Sequence, residues 1–304
     1  MKTLTKKQRA LRNNLTAWIL VAPSLIFMLV FTVYPVFRSI YLSLTRYRLG
    51  MQAPEFVGLE NYINLFGSSL FWKVMGNTLF FALITIIPSM AAGLFLATLV
   101  NRKSRSIGFV RTAFFYPVVM PMIAIASIWM FIYMAKNGLF DQMLVSLGLE
   151  PMNVLSNKST VLPAMAVMYV WKEAGYLMVF FLSGIQSISD EVNEAARIDG
   201  ATKWQQIKCI TLPLLKPTVI TLFILSVGQI FRSDFGLFYQ MPRNSGSLYS
   251  VTRTLDVYIY QALMKNNDYS MSSAASVYQS IVGFVLIIGA NKLVKKYESG
   301  SALF

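Results

Sequence analysis

The chain has 304 residues, 56% of them hydrophobic and only 13% charged, with 27 Lys+Arg against 13 Asp+Glu and no histidine. Charge at about half the roughly 25% of an average soluble protein cannot cover a water-soluble globule of this length. The lack of His removes Ser-His-Asp triads, HExxH zinc sites and imidazole relays together, and a single cysteine, Cys209, excludes an intrachain disulfide or a multi-thiolate metal site.

Crossing about 30 Å of hydrocarbon takes roughly 20 apolar residues as helix. The first such run covers 15–34. It is too long for the apolar core of a signal peptide and no small-residue cleavage site follows, so it is expected to stay as a helix. A long loop, 35–73, comes next, in which Leu59, Tyr62 and Ile63 are spaced to share one helix face. Further spans are expected over 74–100, 112–135, 161–188, 212–231 and 271–290. The fourth is interrupted only by Lys172 and Glu173, and the fifth carries Pro213 and Pro217 in its first turns. A turn cluster, Pro242-Arg243-Asn244-Ser245-Gly246, lies in the last long loop. The chain therefore reads as an all-α integral membrane protein of six transmembrane helices, a single domain over 1–304.

The charges then fall into order. With the N-terminus in the cytoplasm, both ends lie inside, and the short segments 1–14, 101–111, 187–216 and 292–304 hold sixteen Lys+Arg. The much longer external segments hold ten basic residues against seven acids, a margin too small to argue for an anionic substrate. This is the positive-inside bias. A nucleic-acid interface would need its basic residues on one face, whereas these are scattered between spans.

Between the fourth and fifth spans the cytoplasmic segment 187–213 reads as two short helices. Ser187 with Asp190 has capping-box spacing for the first, and Gly200 falls where that helix ends and positive φ is needed. Thr202 with Gln205 caps the second, and Pro213 ends it or starts the next span. Ala195 and Ala196 leave a bare patch onto which another protein's groove can close. A generic loop of this length would be no more than a solvated helical hairpin. Here Glu194, Ala195, Ala196, Gly200, Ile210, Leu212 and Pro213 match, at every fixed position, the EAA signature of binding-protein-dependent ABC importer permeases.

The resemblance runs over nearly the whole chain. Segments beginning at Leu20, Phe56, Asn77, Leu96, Arg111 and Trp171 are similar to the carbohydrate-uptake branch, and the tail from Met271 to Phe304 is similar to permeases for polysaccharide-derived oligosaccharides. The resemblance implies a type I importer permease half, with N-terminus and C-terminus inside, in the bacterial cytoplasmic membrane as a multi-pass protein. It implies that the seven signature residues couple the chain to an ATPase. The partners implied are a second permease subunit as a heterodimer, two cytoplasmic ATPase subunits, and an extracellular or lipoprotein solute-binding protein delivering an oligosaccharide. The chain has no G-x-x-x-x-G-K-[ST] loop, so ATP and Mg²⁺ are expected on the ATPase, with no cofactor on this chain and no catalytic residue.

Polar residues inside a bilayer cost several kcal/mol (about 2.5–3.5 on insertion scales) and are candidates for function. Lys172 and Glu173, adjacent in the fourth span, point about 100° apart on a helix and are not expected to pair face to face. Tyr176, Gln229, Arg232, Asp234 and Tyr239, with Asn77, Tyr278 and Gln279, complete the candidate substrate path. Planar polar groups and aromatic faces are what sugar hydroxyls and rings require. Gly93 and Gly283 read as helix-contact points. Two other readings stay open: a permease for a small disaccharide or a glycerol-phosphate ester, and a membrane-embedded transferase. The transferase would need paired carboxylates or a nucleophile–base pair at one membrane face, and the acidic residues here are dispersed.

Overall fold

The structure, a computed structural model, describes residues 6–102, 105–231, 235–241 and 246–297. Helix α1 (Lys6–Met28) passes through a π-helical turn, Leu29–Val33, into α2 (Tyr34–Ser43). Strand β1 (Thr45–Arg46) pairs antiparallel with β2 (Glu55–Phe56), and α3 (Glu60–Gly67) follows. Then come α4 (Ser69–Val100), α5 (Arg105–Val119), α6 (Met122–Ile132), α7 (Leu139–Ser146) and α8 (Val161–Gln186). The hairpin is α9 (Asp190–Ile198) with α10 (Lys203–Gln206), continued by a second π turn, Ile207–Thr211, into α11 (Leu212–Leu214). The chain closes with α12 (Lys216–Gly228), α13 (Phe235–Gln240), α14 (Tyr249–Thr252), α15 (Leu255–Met264) and α16 (Tyr269–Tyr297). The Pro242–Gly246 turn cluster falls, as far as Ser245, outside the described residues.

Among the described residues, four helices are long and apolar enough to cross a membrane: Leu15–Ser43, Ser69–Val100, Val161–Gln186 and Tyr269–Lys296. Six spans result if each of two bent pairs counts as one. The third expected span is not straight. Its halves, α5 and α6, meet at 102°. Pro121 is the N-cap of α6 with ψ 137°; it has no N–H for the Pro117 carbonyl four residues back, and it disfavours helical backbone at Met120. The fifth is broken as well: the helix through Leu214 and α12 meet at 60°, with Pro217 in the first turn of α12. At 1.5 Å per residue the 13 residues of α12 reach about 20 Å, so this span is shorter than its sequence run.

Prolines also explain the π turns. Leu29–Val33 ends two residues before Pro35, and Ile207–Thr211 two residues before Pro213. In each, the N–H of the residue just before the proline bonds the fifth carbonyl back, Tyr34 to Leu29 and Leu212 to Ile207. The widened turn relieves the contact between the ring and the carbonyl four residues earlier without breaking the helix.

The chain packs as two units, one within 1–67 and 261–278, the other within 68–260 and 279–304. In the first, Asn61 Nδ2 donates to the Ser43 and Thr45 carbonyls at 2.9 and 2.7 Å, and Arg46 forks onto Glu60 at 2.7 and 2.8 Å. Helix α3 forms where the loop pattern places it, yet it buries Asn61 and Leu65 while Leu59 and Ile63 stay exposed. Among the described residues, none in the apolar window of Leu15–Ser43 is buried.

In the second unit α4 and α8 run along each other, with α5 and α12 against them. Close approach depends on small residues, as expected where lipid gives no hydrophobic drive between helices. A Cβ on Gly93 would sit 2.6 Å from Leu177 Cβ, and one on Gly175 would collide with the Phe114 carbonyl oxygen. Gly93 is thus the contact point its sequence position suggests. Phe81, Ile125, Met165, Met168 and Phe238 fill one core, and Ala97, Met178, Phe181, Leu215 and Leu222 another. Arg111 donates to the Val100 carbonyl at 2.9 Å, placing a cation at the C-terminus of α4.

Candidate functional site

The hairpin 187–213 is built almost wholly from local bonds. Helix α9 starts after Ser189, with Asp190 and Glu191 in its first turn and Arg197 in its last, each charge suited to its end of the helix dipole. Ser189 therefore holds the N-cap position expected of Ser187, but its side chain makes no cap bond and the capping box expected there does not form. Ser187 instead ends α8, its hydroxyl donating to the Gly184 carbonyl at 2.7 Å. At the other end, Ala201 N–H bonds the Ala196 carbonyl and Gly200 N–H bonds that of Arg197, a Schellman motif with Gly200 at φ 77°. Thr202 and Gln205 form the reciprocal capping box, at 3.3 and 2.7 Å. Glu194, Ala195, Leu212 and Pro213 are exposed and Ile210 half-buried. Ala196 is buried, so the bare patch is Ala195 without its neighbour. Ile198 at 87% and Trp204 at 69% exposure put two large apolar side chains on the surface of the same hairpin as Glu194 and Arg197. Sequence reading passed over this pair, although a tryptophan in a polar loop is a signal in itself.

The candidate path residues part company. Glu173, Tyr176 and Gln229 meet at one cavity of about 200 Å³ bounded by α4, α8 and α12, which Thr85, Ser89, Tyr169 and Ser226 also line. Gln229 and Gln279 line a second cavity, of about 390 Å³, between α12 and α16. There Gln279 Nε2 also donates to the Phe231 carbonyl and to Asp256 at 2.6 and 2.9 Å. Asn77 acts as a clamp, donating to the Ser250 and Arg253 carbonyls at 3.2 and 3.1 Å. Tyr278 packs edge-on against Phe66, and Tyr239 belongs to an aromatic cluster with Phe235 and Tyr260. None of these three lines either cavity. Arg232 and Asp234 lie outside the described residues.

Lys172 and Glu173 do pair, contrary to expectation. Lys172 Nζ is 3.8 Å from Glu173 Oε1: a four-carbon stem is long enough to swing across the helix surface, though not into hydrogen-bond range. The hydroxyls in the cavity wall, Thr85, Ser89 and Ser226, were missed. Their signal was a Thr and a Ser four residues apart in the middle of an apolar run, which helical spacing puts on one face.

Residues 89–297 match the model of the family described as binding-protein-dependent transport system inner membrane component. The chain belongs to this family. Over 284 residues this permease is 28% identical to the polygalacturonan/rhamnogalacturonan transport system permease of Bacillus subtilis, covering 92% of this chain and 88% of that one. It is 30% identical over 292 residues to the lactose transport system permease of Rhizobium radiobacter, covering 95% and 96%. It shares its fold with a chain of a bacterial alginate ABC transporter crystallised with a pentasaccharide-bound periplasmic protein, with TM-score 0.84, 23% identity and coverage of 95% and 97%. The permease is thus a multi-pass membrane protein of type I ABC permease fold, and its relatives are carbohydrate transport permeases.

Proposed function

We propose that this permease is one transmembrane half of an ATP-driven importer of oligosaccharides, spanning the membrane six times with both termini inside. A second, different permease subunit completes the pore, two cytoplasmic ATPase subunits hold ATP and Mg²⁺, and an extracellular binding protein delivers the sugar. Hairpin 187–213 docks into the ATPase through Glu194, Ala195 and the signature residues. Closure of the ATPase pair pulls α9 and α10, and the helix through Leu214 passes that movement to α12. Sugar then crosses by alternating access past Glu173, Tyr176 and Gln229.

The observation that carries this reading is the doubly capped, exposed hairpin, joined to α12 across the proline-bounded break at Leu215. A passive channel or a transferase has no use for such a docking element. The reading is tested by ATP-dependent sugar uptake into vesicles holding the complete complex. Glu194→Ala and Gly200→Pro should each lower coupled uptake at least tenfold at unchanged membrane level, and uptake that survives both sinks the coupling role.

A further inference from the structure

We propose that α3 is a membrane-surface helix, seated in lipid at the face where the first span ends, with Leu59, Ile63 and Phe66 as the side chains that enter the bilayer. The inference needs only the multi-pass fold and is independent of what the permease carries.

Along α3 runs an apolar stripe with no core beneath it. The Leu59 carbonyl accepts from Ile63 N–H at 3.0 Å, so the helical turn already includes Leu59. Positions 59, 63 and 66 then stand one and two turns apart on one side of the helix. Leu59 is 64% exposed, Ile63 70% and Phe66 40%, while Asn61 and Leu65 take the buried side. Glu60, the only charged residue of α3, is held by the fork from Arg46, and the stripe itself carries no charge.

Hydrogen bonds set the height of this helix against the membrane. Asn61 holds the Ser43 and Thr45 carbonyls, and the Tyr62 hydroxyl donates to Ser43 Oγ at 2.8 Å. These bonds tie α3 to the end of the span Leu15–Ser43. That end is joined in turn to the start of the span Tyr269–Lys296. Tyr47 N–H donates to Ser270 Oγ at 2.7 Å, and Arg48 pairs with Asp268 at 2.9 Å. The Tyr47 and Tyr269 rings, 5.5 Å apart, stand where aromatic side chains of spans meet the headgroups.

Phe66 reaches deeper. Its ring packs edge-on against Tyr278 at 5.4 Å. Tyr278 precedes Lys292, the first of the lysines (292, 295 and 296) that close α16, by 14 residues, about 21 Å of helix. With those lysines at the near boundary of about 30 Å of hydrocarbon, Tyr278 and the Phe66 ring lie roughly 9 Å inside the far one. Tilt of α16 only deepens them. Amphipathic surface helices bury their apolar faces by about 5–10 Å. A soluble partner does not reach that depth, and helix contacts within lipid favour small residues, whereas this stripe has three bulky ones. Acyl chains fit both the depth and the composition.

The test is nitroxide accessibility in the purified permease complex, reconstituted in vesicles of phosphatidylcholine and phosphatidylglycerol. Cys209 is the only cysteine of the chain, so the background is Cys209→Ser. Leu59→Cys or Ile63→Cys then puts a label on the stripe, and Asn64→Cys puts one on the exposed polar side. Labels are attached in detergent, and the signal of the Cys209→Ser complex without an added cysteine is subtracted. Oxygen, which dissolves in lipid, is expected to relax the labels at 59 and 63 at least threefold more than a water-soluble nickel chelate, with the order reversed at 64. Equal nickel access at 63 and 64 puts the stripe in water and overturns the proposal. Low access of both reagents at 63 means that another protein subunit covers the stripe, and overturns it too. So does nickel access at 63 that is lost only when a solute-binding protein is added. Positions 59 and 63 are read independently, so a variant that fails to assemble at one leaves the other to decide.

Discussion

The hairpin and the cavity are assembled in opposite ways. The bonds that cap the hairpin helices, from Ala201 to Ala196 and from Thr202 to Gln205, join residues no more than five apart. The cavity walls come from residues as distant as Phe81 and Ile230, held by helix contacts at positions such as Gly93. A locally built element keeps its shape even when exposed, which suits a part that docks onto another protein and moves as a body. A site built by distant segments exists only while its helices hold register, which suits one that must open and close. Substitutions in the two regions should therefore damage different measurable quantities.

The largest effect is expected at Gly175. Adding one methyl there as Gly175→Ala drives a Cβ into the Phe114 backbone, and backbone yields less easily than a side chain. About 1–3 kcal/mol of stability should be lost, seen as an earlier thermal transition and lower yield of the purified complex. An unchanged transition would show that the approach of α5 to α8 is slack. Gly200→Val comes next. A β-branched residue at φ 77° costs about 1–2 kcal/mol, but the strain falls on an exposed hairpin. Coupled uptake should drop while the thermal transition stays within a degree or two, and Gly200→Asn should recover most of the uptake, because Asn tolerates that backbone.

The same division explains what the sequence disclosed. The Gly200 cap and the Thr202 box could be read directly, since their causes lie within a few residues. The misplaced cap at Ser187 was an error of two residues between neighbouring serines, decided by where α8 ends. Apolar runs located the spans but not their bends, because a run of uncharged residues says nothing about how Pro117 and Pro121 redirect the chain. The cavity was half legible. Glu173, Tyr176 and Gln229 announced themselves as polar groups in apolar runs, and they do meet. Asn77 looked alike in sequence, yet its amide is committed to two backbone carbonyls. Only tertiary packing separates a clamp from a lining residue, and the same holds for Ala196 against Ala195.

Smaller effects sharpen the contrast. Thr202→Ala removes the oxygen that accepts from Gln205 N–H and should cost the hairpin about 1 kcal/mol. That loss is local, so faster amide exchange of Lys203–Gln206 would report it without any change in the α4 and α8 amides. Equal acceleration in both places would mean that the hairpin and the bundle unfold as one.

Ser89→Ala has the smallest expected effect on stability and the most informative sign. Its hydroxyl is buried with no partner among the described residues. Deleting it therefore removes a desolvated polar group rather than a bond, and the thermal transition should hold or rise slightly. If that hydroxyl waits for a sugar, however, maltotriose affinity should fall about twofold to tenfold, the worth of roughly 0.5–1.5 kcal/mol for one hydrogen bond. Stability and affinity then move in opposite directions, which a packing residue does not do. A fall in both would mean that Ser89 holds the helices together, and its hydroxyl would no longer stand as a group kept for a ligand.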